Sequence, residues 1–189
     1  MARYASRTPA GCTRFSVAYS APVATDDDFS AYFAARAHAL RATAYLLCGD
    51  WHRAEDITQV AMTKVYLAWP RLRAVGLDAY ARKVVVRTFL AENRRLWRKR
   101  EHLTHEPPEV PVGAGDTEDR LLVRAALASV PPRQRAVLVL RYWNDLSVEE
   151  TAEALGCSTG TVKSQAARGV AALRRRLGPH FDVLSPDGR

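Results

Sequence analysis

Residues 147–177 read SVEETAEALGCSTGTVKSQAARGVAALRRRL, and this stretch decides the fold class. Ser147 and Glu150 are spaced as a capping box, in which hydroxyl and carboxylate satisfy backbone donors at a helix start. Val148, Ala152 and Leu155 recur at i, i+4 and i+7 and give that helix one apolar face. Gly156 permits a left-handed turn, and Ser158 or Thr159 can cap a second helix. In the second helix Val162, Ala166, Val170 and Leu173 form the core face. At 100° per residue the opposite side carries Ser164, Arg168 and Arg175, flanked by Thr161, Lys163 and Gln165. A helix, a glycine turn and a second helix with a polar, basic outer face fit a major groove. Lysine and arginine can meet guanine edges or phosphates, while serine, threonine and glutamine can reach either. Such a face alone could be simply solvated; the capping box, turn glycine and small residues together favour DNA.

Working outward, Pro131-Pro132 marks a helix start. The apolar run Val137–Leu140 could be a buried strand on composition, but nothing nearby offers a pairing strand. The spacing predicts helices over about 118–129, 132–143, 147–155 and 159–177. Gly178-Pro179 is a helix stop that opens a tail, 178–189. Residues 101–117 (EHLTHEPPEVPVGAGDT) hold three prolines and two glycines and are expected to form a flexible linker. Upstream, periodic stretches cover about 29–48, 51–69 and 78–100, separated by Gly49-Asp50 and by Pro70 and Gly76. Residues 1–27 show no sustained periodicity and read as a flexible lead. The expected architecture is therefore all-α, with two small helical domains at 28–100 and 118–177. Domains of this size bury limited surface and suit docking to a larger partner.

The helix at 80–100, YARKVVVRTFLAENRRLWRKR, has two unlike sides. Val85, Phe89 and Leu96 share one, with Ala81, Val84 and Thr88 beside them. Lys83, Arg87, Arg94 and Arg98 fall within about 60° of each other on the other. With Tyr80 and Trp97 close by, this stripe suits phosphate contact and stacking on unpaired bases. The preceding helix buries Ile57, Ala61, Val65 and Ala68 and turns Asp56, Gln59 and Thr63 outward. That acidic-polar line is a poor DNA surface and a plausible protein surface.

The 189 residues include 28 Lys and Arg against 20 Asp and Glu, for a net charge of +8 and a pI near 9.8. The excess favours a polyanionic partner. No stretch approaches the roughly 18–20 apolar residues that span a bilayer. No apolar run follows Arg3, Arg7 and Arg14, so the start does not read as a signal peptide. Cys12, Cys48 and Cys157 are an odd set at unrelated spacings, which argues against a disulfide framework and for the cytoplasm.

At this point the residues resemble a known family. AEDITQVAMTKVYLAW (54–69), the basic helix, the Pro-rich linker and PPRQRAVLVLRYWNDLSVEETAEALGCSTGTVKSQAARGVAALRRRL (131–177) are similar to the extracytoplasmic-function sigma factors of bacterial RNA polymerase. The likeness is nearest to the actinobacterial SigE subgroup. It implies a region 2 at 28–100 and a region 4 at 118–177. The resemblance implies that Asp56 and Gln59, matching the family's Asp-x-x-Gln, contact the β′ clamp helices of core polymerase, with Thr63 beside them, and that region 4 meets the β flap. Arg71, Arg73, Tyr80, Lys83, Arg87, Arg94 and Arg98 would serve melting and reading of the −10 element. Ser158, Thr161, Lys163, Ser164, Gln165 and Arg168 would enter the −35 groove, with Arg133 and Arg135 close to phosphates. Promoter DNA and core polymerase are the implied partners, and an anti-sigma factor is one the family allows. Two positions depart from the pattern: Arg87 stands where Asn is common, and Val60 where Glu is common.

Rival readings fit less. Neither His102 with His105 nor Cys48 with His52 converges with further ligands at zinc-like spacing, and no metal or cofactor is implied. Cys48 follows two leucines and reads as apolar filler. Neither a phosphate-binding glycine loop nor a nucleophile elbow is present, so no catalytic function is expected. A one-component transcription regulator with an N-terminal sensing or dimerisation domain would share the helix-turn-helix. It would not need Asp56, Gln59 or the basic stripe. The chemistry of Lys163–Arg168 likewise counts against an adaptor with no DNA role.

Overall fold

The structure is a computed structural model that describes residues 25–72, 76–100 and 118–181. Every regular element among them is helical: α1 (Asp26–Cys48), α2 (Trp51–Ala68), α3 (Leu77–Arg100), α4 (Glu118–Ser129), α5 (Pro132–Leu138), α6 (Val148–Leu155) and α7 (Thr159–Leu177). A 3₁₀ turn, Trp69–Arg71, extends α2, and a π turn, Val139–Trp143, extends α5. The readings of a linker at 101–117, a lead before residue 25 and a tail after 181 lie outside the described residues.

The expected helix breaks are where the chain turns. Gly49, at φ 75°, closes α1, and the Asp50 carboxylate caps α2 by accepting from the Arg53 amide at 2.7 Å. One boundary moves: α1 starts at Asp26, inside the stretch read as a lead. Thr25 accepts from the Asp28 amide at 3.2 Å, and the Asp28 carboxylate reaches back to the Thr25 amide at 3.4 Å. Three aspartates in the first turn complement the helix dipole. Phe29 meets Trp69 edge to face at 5.2 Å and Tyr32 packs against it at a tilt at 5.3 Å, and Trp69 Nε1 donates to the Thr25 carbonyl at 3.3 Å. This aromatic cluster fixes where the chain leaves α2. Arg36 pairs with Asp78 at 3.0 Å and fixes where it enters α3.

α1, α2 and α3 close over Leu40, Ala44, Leu47, Ile57, Ala61, Val65, Val85 and Phe89. Across the α2–α3 seam Arg53 pairs with Glu92 at 3.0 Å, and Lys64 donates to the Thr88 hydroxyl at 3.1 Å. The C-terminal helices have two smaller clusters of their own, around Leu127, Val130 and Leu138 and around Val137, Ala152 and Val162.

Both helical units expected from the sequence are present, and they are docked on each other. Ala136, Val139, Leu140, Leu146 and Ala154 belong to the same apolar cluster as the core of α1–α3. Polar contacts line the seam: Arg124 Nη1 donates to the Tyr45 hydroxyl at 2.8 Å, and Asn144 Nδ2 to the Thr43 hydroxyl at 3.2 Å. The C-terminal unit's own clusters are small, and docking adds to its buried surface.

The close approach of α5 and α7 depends on one glycine. A Cβ at Gly169 would stand 2.9 Å from Leu138 Cδ1 and 3.0 Å from Cγ, and Leu138 is itself buried. Gly169→Val is therefore expected to lower stability by about 1–3 kcal/mol through overpacking, read as a fall in the urea midpoint. At Gly160 the nearest atom to a Cβ is Ser158 Oγ at 3.8 Å. Gly160→Ala should be neutral or slightly stabilising.

Candidate nucleic-acid interface

The helix-turn-helix forms as its residues dictate. The Ser147 hydroxyl accepts from the Glu150 amide at 3.0 Å, and the Glu150 carboxylate accepts from the Ser147 amide at 2.7 Å. Gly156 takes φ 65°, and Ser158 Oγ caps α7 by accepting from the Thr161 amide at 3.1 Å. Val162 and Gly169 are buried, which fixes the rotation of α7. Ser158, Lys163, Ser164 and Arg168 are exposed along its outer side, while Thr161 and Gln165 are half-buried at its edges. Ser158 and Ser164 are partly engaged already: Ser158 Oγ lies 2.9 Å from Thr161 Oγ1, and Ser164 Oγ donates to the Thr161 carbonyl at 3.0 Å. Each hydroxyl oxygen retains acceptor capacity beyond these bonds.

α3 buries Ala81, Val84, Val85, Val86, Thr88 and Phe89, which turns the basic stripe away from the core. Arg94 and Arg98 are exposed, as is Trp97, and Tyr80 is half-buried against the core. Half-buried Lys83 and exposed Arg87 each also make a contact across the seam. Lys83 Nζ lies 3.4 Å from Glu153 Oε1, and Arg87 Nε donates to the Ala154 carbonyl at 3.0 Å. Arg71 is exposed at the end of the 3₁₀ turn. Arg73 lies outside the described residues.

On α2, Asp56, Gln59 and Thr63 all face outward, opposite buried Ile57, Thr58, Ala61 and Val65. Val60 and Leu67 extend this face, 46% and 72% exposed, so the polar line is edged by apolar surface.

Arg133 is exposed at the start of α5, but Arg135 is not where the sequence reading put it. It is 9% exposed, far from a phosphate-facing position. Its Nη1 donates to the Leu47 carbonyl at 2.7 Å, its Nη2 to Ala128 and Val130 carbonyls at 2.7 and 2.9 Å. The guanidinium thus joins the ends of α1 and α4. Burial lowers its pKa to about 10, which leaves it cationic at neutral pH. A signal for this existed: residues 136–140 are all apolar, and a helix stretch apolar on every side must be enclosed.

Cys48, read as filler, is half-buried beside the Asp50 carbonyl, and burial pushes its thiol up to about 11. Among the described residues no cluster of His, Cys, Asp and Glu could hold a metal ion, and no helix is long and apolar enough to cross a membrane.

Comparison with known proteins matches residues 27–99 to Sigma-70 region 2 and residues 120–173 to Sigma-70, region 4. The RNA polymerase sigma-E factor of Streptomyces coelicolor is 38% identical over 156 residues, covering 79% of this chain and 86% of the relative. The ECF RNA polymerase sigma factor SigE of Mycolicibacterium smegmatis is 34% identical over 145 residues, 72% of this chain and 56% of the relative. The chain belongs to the ECF RNA polymerase sigma factors. This sigma factor shares its fold with the sigma factor RpoE solved in complex with the anti-sigma factor NepR from Bartonella quintana, at TM-score 0.66 and 24% identity over 81% of this chain and 98% of that one. A second neighbour is CnrH, solved with the cytosolic domain of CnrY, at TM-score 0.56 and 18% identity over 87% and 92%. In the sigma factor's own sequence, α2 and all of α3 but Arg100 fall within the region 2 match, and the cap Ser158 with α7 as far as Arg168 within the region 4 match.

Proposed function

We propose that this sigma factor directs core RNA polymerase to promoters and starts transcription, with region 2 (28–100) opening the −10 element and region 4 (118–177) reading the −35 element. The observation that carries the reading is the outer side of α7. Lys163, Ser164 and Arg168 stand exposed there on a helix whose rotation is locked by buried Val162 and Gly169. Region 2 contributes the α3 cations, which attract phosphates, and exposed Trp97, on which unpaired bases can stack. Asp56, Gln59 and Thr63 serve the β′ clamp helices, and region 4 meets the β flap. The protein works in the cytoplasm without catalytic chemistry of its own, and an anti-sigma factor is a further partner.

Polymerase would fix the spacing of two weak DNA contacts and turn them into one strong contact. Reconstituted transcription with purified core polymerase on a library of random promoter templates tests this. Specific start sites should appear only when the chain is added; their absence at every template would defeat the reading. Arg168→Ala is then expected to cost about 1–3 kcal/mol at one −35 base pair if the contact is bidentate. Binding titrations against single-base variants check it, and a loss equal at all sequences would reassign Arg168 to phosphate.

A further inference from the structure

Phe29, Tyr32 and Arg36 recur at i, i+3 and i+7 and share one side of α1. That side touches both ends of the connection that joins α2 to α3. At the α2 end Phe29 and Tyr32 pack on the buried ring of Trp69, which is followed directly by Pro70 and Arg71. At the α3 end the Tyr32 hydroxyl donates to the Leu77 carbonyl at 3.5 Å, and Arg36 Nη2 lies 3.0 Å from Asp78 Oδ2. Tyr32 thus bridges the two ends, with its ring on one and its hydroxyl on the other. Burial and the nearby Asp78 carboxylate push its phenol above the ordinary value, so it stays a neutral donor. The Arg36 and Asp78 side chains are 14% and 27% exposed, a pair largely withdrawn from solvent. Arg71 closes the 3₁₀ turn begun by Trp69, and Tyr80 completes the first turn of α3, its amide donating to the Gly76 carbonyl at 2.8 Å.

We propose that Tyr32 and Arg36 are positioning residues for promoter opening: by holding both ends of the α2–α3 connection they preset where Arg71 and Tyr80 meet the −10 element. The inference rests on the −10 role proposed for those two residues. Tyr32 and Arg36 touch no DNA themselves; each acts through the backbone it holds. Opening gains most from groups that stand in place before the strands part, and a shift of about 1 Å in such a frame can cost about a hundredfold in rate. Because both ends are held from one side of one helix, a change there moves Arg71 and Tyr80 relative to each other.

Holoenzyme is assembled from core polymerase and the full chain, and strand opening is timed by permanganate footprinting. The templates are one promoter recovered from the random library and its single-base variants at −10 and −35. Arg36→Ala is expected to slow opening about ten- to a hundredfold. Tyr32→Phe, which keeps the ring against Trp69, should slow it about two- to tenfold. Both should narrow the differences among −10 variants and leave the differences among −35 variants as in wild type. Arg36→Lys should recover opening, since an ammonium can still pair with Asp78. A merely structural role would lower the melting temperature without changing −10 discrimination. A folded Arg36→Ala protein with wild-type opening rates and −10 discrimination overturns the proposal, as does discrimination lost equally at −10 and −35. Should Arg36→Ala fail to fold, Tyr32→Phe decides alone, and unchanged −10 discrimination there overturns it. Arg71→Ala and Tyr80→Ala are assayed alongside. If neither alters opening, the −10 assignment falls and takes the proposal with it. If they slow opening while Arg36→Ala and Tyr32→Phe do not, the positioning claim alone falls.

Discussion

Asp56→Arg combined with Gln59→Ala is expected to abolish co-purification of the chain with core polymerase while leaving its helical circular dichroism and melting temperature unchanged. Both side chains are exposed on α2, and neither takes part in the seams with α1 or α3. The substitution reverses a charge at the start of the line proposed to face polymerase. Removing one member of a desolvated polar contact typically costs about 2–5 kcal/mol, and like-charge juxtaposition adds to that. A loss of about 4 kcal/mol, within that span, takes a nanomolar complex into the micromolar range. Val60, 46% exposed next to Gln59, supplies apolar area on the same side. Val60→Ala should therefore weaken the complex far less than the double substitution. Retained polymerase binding by Asp56→Arg, Gln59→Ala would remove α2 from the interface.

The second large effect is one of stability. Arg135→Ala removes the donors to Leu47, Ala128 and Val130 carbonyls at one stroke and leaves space in a closed site. Hydrogen bonds from a charged donor contribute about 1.5–3 kcal/mol each, and buried acceptors left unsatisfied cost comparably, so the loss should be roughly 3–5 kcal/mol. Domains of this kind have only about 5–15 kcal/mol in all. Arg135→Lys should recover a minor part, because a single ammonium lacks the planar fork that reaches several carbonyls. Denaturant unfolding measures both variants. Since the guanidinium's pKa of about 10 lies below its ordinary value, the protonated form is the disfavoured one in the folded chain. The sign follows: Arg135 adds no pH dependence through the neutral range, and stability attributable to it rises only as pH climbs past about 10. If Arg135→Ala unfolds at the wild-type midpoint but loses DNA affinity, the phosphate role first read from the sequence is restored.

Local signals made most of the helices legible. Gly49-Asp50, the Ser147–Glu150 box and Gly156 each act within a few residues, and each is where the chain turns. The Thr25–Asp28 box works the same way but was hidden among residues whose composition reads as a lead. The periodicity of α2, α3 and α7 separated buried from outward sides correctly, because one face of a helix is a property of that helix alone. Which face meets a distant helix is not. Nothing in the spacing of Lys83 and Arg87 says that α6 lies against them, and nothing around Leu47 says that its carbonyl ends on Arg135. Such contacts join residues 67, 70 and 88 positions apart, and no local pattern encodes them.

The shared cluster of Leu47, Val85 and Phe89 with Val139, Leu140 and Leu146 has a consequence for how the molecule ages. Parting the halves bares oily patches on both at once, so an opened chain is the one most exposed to proteases and to clumping. Its lifetime outside the transcription complex is therefore governed by how seldom that seam gapes, and a lesion in either half shortens the survival of the other.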